Sequence, residues 1–257
     1  MKIGLALSGG GARCISHLGV LQLFEEIGLK IESISGSSAG AIAGALFAAG
    51  YAPQEIMELI ISTKVYKLLR PALSKTGLLN LKKTERVFLK YFPDDDFSQL
   101  SIPLFVAATD LNRGTTTFFS RGPLIKPLLA SACVPVIFEP VKIKDASYID
   151  GGILNNLPIE PLQERGHRII GLNSNPIGSD FQVTNVKDLV ERSLLLAITN
   201  HTHTKASACD LFLEPPQLGK YKIFDFGKAR EIFDIGYNYA KENLGKLEEL
   251  IINDKTS

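Results

Sequence analysis

At 257 residues, 45% hydrophobic and 21% charged, the chain has the composition of an ordinary globular protein and the length to bury a large core in one α/β domain. A formal charge of +1 gives no reason to expect nucleic acid as a partner. Three widely spaced cysteines (Cys14, Cys133 and Cys209) argue against a disulfide framework and fit a reducing compartment, and with no Cys-x-x-Cys or His-x-x-x-His no metal site is expected.

The first expected element is a strand, Lys2–Leu7. Its apolar run is too short for a signal peptide and meets Gly9-Gly10-Gly11 before any cleavage-like site. Nothing later approaches 18 uninterrupted apolar residues; the longest candidate, Ala39–Ala52, contains three glycines. A soluble, cytoplasmic protein is the expectation. After the glycines come Ala12-Arg13-Cys14 and helical periodicity over Ile15–Ile27. Consecutive glycines let backbone N–H groups converge on an anion. One reading of this loop is the phosphate-binding turn of a Rossmann-type nucleotide module. It fits poorly, because the third fingerprint glycine falls on Cys14 and the second strand ends at Ser35-Gly36 rather than at an acid. The better reading is an oxyanion hole, with the Gly10 and Gly11 amides meeting a tetrahedral oxyanion and Arg13 adding positive charge or bracing the loop. His17, one turn into the helix, is expected on the helix surface, with lining the loop as its alternative.

A second strand, Glu32–Ser35, runs into Gly36-Ser37-Ser38-Ala39-Gly40 and then into a small-residue helix, Ser38–Ala49. This is the strand–turn–helix setting of a nucleophile elbow, where a tight turn presents one hydroxyl and the helix N-terminus favours its alkoxide. The bare Gly-x-Ser-x-Gly is weak and also fits a glycine-rich turn with Ser38 as helix N-cap. The setting favours Ser38 as nucleophile.

Helices Pro53–Ser62 and Leu81–Tyr91 follow, with a break at Pro71. The stretch Ile56–Phe92 holds eight basic residues (Lys64, Lys67, Arg70, Lys75, Lys82, Lys83, Arg86, Lys90) against Glu58 and Glu85, a side-chain charge of +6. It reads either as two solvated amphipathic helices or as a basic cap over the Ser38 cleft that meets an anionic membrane.

Strands Leu104–Thr109 and Thr115–Phe119, helix Pro123–Ala130, and strands Val141–Ile143 and Ser147–Ile149 come next. Leu104–Ala108 is apolar without alternation, as in a strand covered on both faces of a parallel sheet. Tyr148-Ile149-Asp150-Gly151-Gly152 puts a carboxylate at a strand end with nothing bulky after it; an Asx-turn is the plainer alternative. Asp110, also at a strand end, is the rival base. The remaining elements are helix Ile159–Arg165, strand Arg168–Asn173, helix Val186–Asn200, strand Asp210–Glu214 and helix Lys228–Asn243. No repeat or low-complexity linker divides residues 1–257, so one three-layer α/β/α domain with a mainly parallel sheet is expected.

Together Gly9–Cys14, Gly36–Gly40 and Asp150–Gly152 resemble, in this order, the glycine-rich loop, serine elbow and Asp-Gly-Gly of the patatin-like phospholipase family. Ala107-Ala108-Thr109-Asp110-Leu111, Ala130-Ser131-Ala132-Cys133-Val134-Pro135 and Asn156-Leu157-Pro158 extend the likeness over roughly residues 2–175. Cys14 stands where the family loop ends in glycine, and Ser8 where many plant-type members have Asp. The resemblance implies an oxyanion loop at Gly9–Arg13 and a Ser38–Asp150 dyad that cleaves (lyso)phospholipid or related acyl-lipid esters, with no cofactor. It does not fix head group, acyl chain or oligomeric state. The alternative from another class is a catalytically silent lipid-binding scaffold.

A triad would need a histidine on a strand-exit loop after the acid. His167 precedes a strand, and His201 and His203 end a helix. A lone carboxylate can serve as base if burial raises its pKa, and Ile149, Ile153 and Leu154 surround Asp150 in sequence.

Overall fold

The computed structural model describes residues 2–62, 82–135, 138–178 and 182–252. Eight strands among them form one sheet: β1 (Ile3–Leu7), β2 (Ser33–Ser37), β3 (Leu104–Asp110), β4 (Thr115–Phe119), β5 (Val141–Ile143), β6 (Ala146–Asp150), β7 (Arg168–Leu172) and β8 (Leu211–Leu213). The order is β5-β6-β3-β2-β1-β7-β8, with β4 also on β3. β3, β2, β1, β7 and β8 are mutually parallel, whereas β4 and β6 run antiparallel to β3.

Alternation along β1 sorts the helices onto two faces. Leu5 and Leu7 join Ile34, Leu104, Val106, Ile170 and Leu172 in the main core. That core is covered by α1 (Ile15–Glu26), α2 (Ser38–Ala48), α3 (Pro53–Ser62), α5 (Ile125–Ser131) and α9 (Ala229–Glu242); α4 is the short Lys82–Phe88. Ala6 faces the other way, onto Leu157, Ile159 and Leu162. There lie α6 (Gly152–Asn155), α7 (Glu160–Gln163) and α8 (Val186–Ala206). On this thinner face β2 carries serines, and Ser35 Oγ donates to the Pro158 carbonyl at 2.5 Å. The three-layer α/β/α reading therefore holds, with a mainly parallel sheet.

Two departures have local causes. α8 continues past Asn200 through His201-Thr202-His203-Thr204, residues of low helix propensity, because Thr199 and Thr202 are buried against the body. A further helix, α10 (Leu244–Ile252), follows Asn243; Gly245 hides its periodicity, yet Leu247 and Leu250 are buried.

Candidate active site

The register of β3 explains how two distant motifs meet. Val106 and Ala107 pair with both β2 and β4, so β2 and β4 occupy opposite edges of β3. Ala108 to Asp110 pair with both β4 and β6, so β6 lies on the same edge as β2. β2 ends at Ser37 opposite Ala107, and β6, running the other way, ends at Asp150 opposite Ala108. The two strands therefore meet head to head. Gly151 is where the collision is relieved: a Cβ there would stand 2.2 Å from the Ala107 carbonyl and 2.8 Å from Ser37 Oγ.

Both chains turn away at this junction and leave their side chains facing. Ser38 adopts φ +52°, a left-handed conformation that costs on the order of 1–3 kcal/mol in a non-glycine residue. Ser37, not Ser38, occupies the N-cap of α2, and it makes no side-chain capping bond. The Ser38 N–H donates to Ser131 Oγ at 2.8 Å, and Ser131 Oγ in turn donates to the Ala107 carbonyl at 2.6 Å. Ser38 Oγ donates to Asp150 Oδ2 at 2.6 Å. The other carboxylate oxygen, Oδ1, accepts from the Gly152 N–H at 2.8 Å, and Thr109 Oγ1 holds the Asp150 carbonyl at 2.9 Å. Burial pushes the Asp150 carboxyl up to about 6, against the downward pull of its bonds to Ser38 and Gly152.

The glycine loop lies against this pair, since a Cβ on Gly9 would approach Ser38 Cβ to 2.8 Å. The Gly9 N–H donates to Asn156 Oδ1 at 3.0 Å. Among the described residues, neither the Gly10 nor the Gly11 N–H has an acceptor. Arg13 is buried, and its Nε donates to the Tyr221 carbonyl at 2.8 Å, which ties the loop to the segment before α9. Gly36 lies in β2 two residues before Ser38, and Gly40 lies in the first turn of α2. Cys14 has φ −65°, so the missing loop glycine imposes no left-handed strain. Its thiol is pushed up to about 12 by burial, as is that of Cys133, so neither competes as a nucleophile.

No histidine bonds Ser38 or Asp150 among the described residues. His17 is buried rather than on the helix surface: its Nε2 holds the Ser8 carbonyl at 3.0 Å, and burial lowers it to about 4, keeping the ring neutral. His167 bonds Ser33 Oγ at the opposite end of the sheet, and His203 pairs with Glu214. Asp110 spends Oδ1 on the Asn112 and Arg113 N–H groups, the geometry of an Asx-turn. No group of three or more His, Cys, Asp or Glu residues that could hold a metal occurs among the described residues.

An apolar cavity of about 190 Å³ opens beside Ser38. Gly11 lines it, together with Ile42 and Leu46 of α2, Leu59 and Ile60 of α3, and Val87 and Phe88 of α4. Both ends of the basic stretch thus contribute to its wall. Lys64, Lys67, Arg70, Pro71 and Lys75 lie outside the described residues. Sequence reasoning also passed over Ser174 and Asn175, buried just past β7. Their signal is a polar Asn-Ser-Asn at the C-terminal end of a central parallel strand, where α/β sheets place their sites.

The Patatin-like phospholipase family profile matches residues 5–162, more than half of the chain. An uncharacterized NTE family protein of Mycobacterium bovis is 35% identical over 163 residues, covering 63% of this chain and 45% of its own. Lysophospholipase NTE1 of Kluyveromyces lactis and human patatin-like phospholipase domain-containing protein 6 are each 26% identical, over 96% and 99% of this chain but 19% and 21% of theirs. The chain thus spans less than half the length of these relatives. Among solved structures, VipD from Legionella pneumophila superposes with a TM-score of 0.52 at 15% identity, covering 91% of this chain and 66% of that one. A chain of the SpcU–ExoU complex from Pseudomonas aeruginosa gives 0.50 at 17% identity, covering 97% and 52%. These two likenesses concern the fold. No described helix is long and apolar enough to cross a membrane.

Proposed function

The chain belongs to the patatin-like phospholipase family, and from that premise we propose that it is a serine lipid acyl hydrolase working through Ser38 and Asp150. The observation that carries this is the 2.6 Å contact from Ser38 Oγ to a buried Asp150 whose pKa stands at about 6. A carboxylate of that pKa is ionised at neutral pH and still basic enough to take the hydroxyl proton as the ester is attacked.

In the proposed cycle Ser38 Oγ loses its proton to Asp150 Oδ2 and bonds the ester carbonyl carbon. The resulting oxyanion is met by the Gly10 and Gly11 N–H groups, which have no acceptor among the described residues. The Ser38 N–H is already engaged by Ser131, which favours the loop amides for that role. Arg13 braces the loop through Tyr221. Collapse expels the alcohol with the proton from Asp150 and leaves acyl-Ser38. Asp150 then deprotonates a water that attacks the acyl group, and the fatty acid departs as Ser38 recovers its proton.

The apolar cavity beside Ser38 favours a hydrocarbon acyl chain, and the names of the two lysophospholipase and phospholipase relatives favour a (lyso)phospholipid ester. The charge of +6 over residues 56–92 supports contact with an anionic membrane, since each basic residue near such a surface contributes about 1 kcal/mol. Changing Lys64, Lys67, Lys82 and Lys83 to Gln should abolish any preference for anionic over neutral liposomes in sedimentation; equal binding by the unaltered protein removes the membrane role. For the chemistry, a fluorophosphonate should label the protein and not Ser38→Ala. Lipid bound intact without labelling would make the chain a silent scaffold.

A further inference from the structure

The Gly9 carbonyl is held by three donors. Asn175 Nδ2 reaches it at 2.5 Å, Ser174 Oγ at 3.0 Å and Ser8 Oγ at 3.1 Å. The donors are themselves fixed: the Ser174 N–H donates to Ser8 Oγ at 3.0 Å, and Thr199 Oγ1 bonds the Asn175 carbonyl at 3.3 Å. Ser8, Ser174 and Asn175 are all buried, where a lost hydrogen bond is expensive. They also press on the next residue. Gly10 has φ +153°, and a Cβ there would lie 2.3 Å from Ser174 Oγ and 2.8 Å from Asn175 Oδ1.

A trans peptide is planar, with its C=O and N–H on opposite sides. Pinning the Gly9 oxygen on Ser174 and Asn175 therefore turns the Gly10 N–H away from them. Gly9 is buried, whereas Gly10 and Gly11 are partly exposed, and Gly11 lines the cavity that Ser38 opens into. We propose that Ser174 and Asn175, with Ser8, are positioning residues that aim the Gly10 N–H at the oxyanion formed on Ser38. This rests on the reading of Ser38 as nucleophile and of the loop amides as oxyanion donors. The glycine loop alone is not enough to point a donor, because two successive positive-φ glycines can turn their shared peptides either way. The exit of β7 selects the orientation.

Asn175→Asp keeps the shape but sets a carboxylate oxygen against the Gly9 carbonyl; Asn175→Ala and Ser174→Ala remove one donor each. The measurements are the rate at which a fluorophosphonate modifies Ser38, kcat and KM on a p-nitrophenyl ester, the pH profile and Tm. Losing an oxyanion donor lowers turnover by about 10²–10³. Asn175→Asp should slow labelling and kcat together by about 10²-fold, and each alanine variant by about tenfold or more. For the alanine variants KM should stay within about twofold and the pH midpoint near Asp150's value should not move, since the base is untouched. If wild type is not labelled at Ser38, the reading of the site itself falls. If wild type is labelled and the folded alanine variants react at its rate, the site stands and the positioning role falls. A fall in Tm with unchanged kcat for the folded fraction likewise makes these residues structural only.

Discussion

The two ends of the sheet each carry a hollow, and the larger one is at the end without the serine. At the strand N-termini Lys2, Lys30, Glu32, Arg165 and His167 surround a cavity of about 470 Å³. At the C-termini the cavity beside Ser38 is about 190 Å³ and almost wholly apolar in lining. Three polar groups of the first have ordinary partners: Lys30 pairs with Glu32 at 2.7 Å, the Arg165 guanidinium lies 4.7 Å from the centre of the Phe105 ring, and His167 bonds Ser33 at 2.7 Å. The polar groups at the mouth of the second, around Ser38, are held in unfavourable states. Ser38 has a left-handed backbone, Asp150 is a carboxyl that burial makes reluctant to ionise, and two loop amides lack acceptors among the described residues. Concavity alone does not mark a site; unspent interaction energy does.

The largest expected effect breaks the comparison outright. Ser38→Ala and Asp150→Asn should each lower ester turnover by about 10³ or more with the fold retained, and the double variant should be little worse than either, because the two act as a unit. Turnover by Asp150→Asn within tenfold of wild type would move the base role elsewhere, Asp110 being next in line.

Next in size is the response to pH. Asp150 must be ionised to act as base, so kcat/KM should fall about tenfold per unit below pH 6 and level off above it. The same shift sets a stability trend of the opposite sense. The folded pKa of about 6 lies above the unfolded carboxylate value, so the folded state holds the proton more tightly. The stability this gives is complete below about pH 4 and is lost as pH rises through 6, for a difference of about 3 kcal/mol. Asp150→Asn never ionises, so it should raise Tm by several degrees at pH 8 and lose that advantage at pH 4. His17, lowered to about 4, acts the other way as pH falls below 6.5, but it is common to both proteins and cancels in the difference. Equal melting curves at pH 8 would show that Asp150 is not strained.

How much of this contrast could be read from residues alone depends on what each feature rests on. The eight strands and the three-layer arrangement follow from apolar runs and period, which are local. Ser38 and Asp150 were legible because an elbow and an Asp-Gly-Gly are short contiguous patterns. Their contact rests on β2 and β6 sharing one edge of β3, a fact of register that no local pattern carries. Asn175 was missed, and His17 was expected on the helix surface with the loop only as its alternative, for the same reason: each acts on the Ser8-Gly9 backbone from another element, and an Asn after a strand or a His in a helix looks the same whether it faces water or a carbonyl.

A smaller effect sharpens the apolar side of the comparison. Ser38, Ile42 and Leu46 stand at i, i+4 and i+8 on one face of α2 and all line the cavity. At 1.5 Å per residue Leu46 lies about 12 Å along the helix from the nucleophile. A bulkier side chain there should shorten the usable pocket. Leu46→Phe should cut kcat/KM for a palmitoyl ester relative to a butyryl ester by about tenfold, the scale on which methylenes are discriminated. An unchanged chain-length profile would mean that the acyl group leaves Ser38 by another route.

The smallest expected effect concerns the larger cavity, and it tests whether the ends are independent. A five-residue strand spans about 16 Å, so Lys30, Arg165 and His167 lie beyond direct reach of a group on Ser38. Their charges are exposed or paired, and at that distance a Debye length of about 8 Å at physiological salt screens most of their field. Lys30→Gln, Arg165→Gln and His167→Gln should therefore leave kcat and KM within about twofold of wild type and the Asp150 pH midpoint in place. His167→Gln carries extra weight, since it removes a histidine that follows Asp150 in sequence. A tenfold loss of kcat at unchanged Tm could not come from contact. It would require β2, with Ser33 at one end and Ser37 beside the nucleophile at the other, to carry the disturbance along its length.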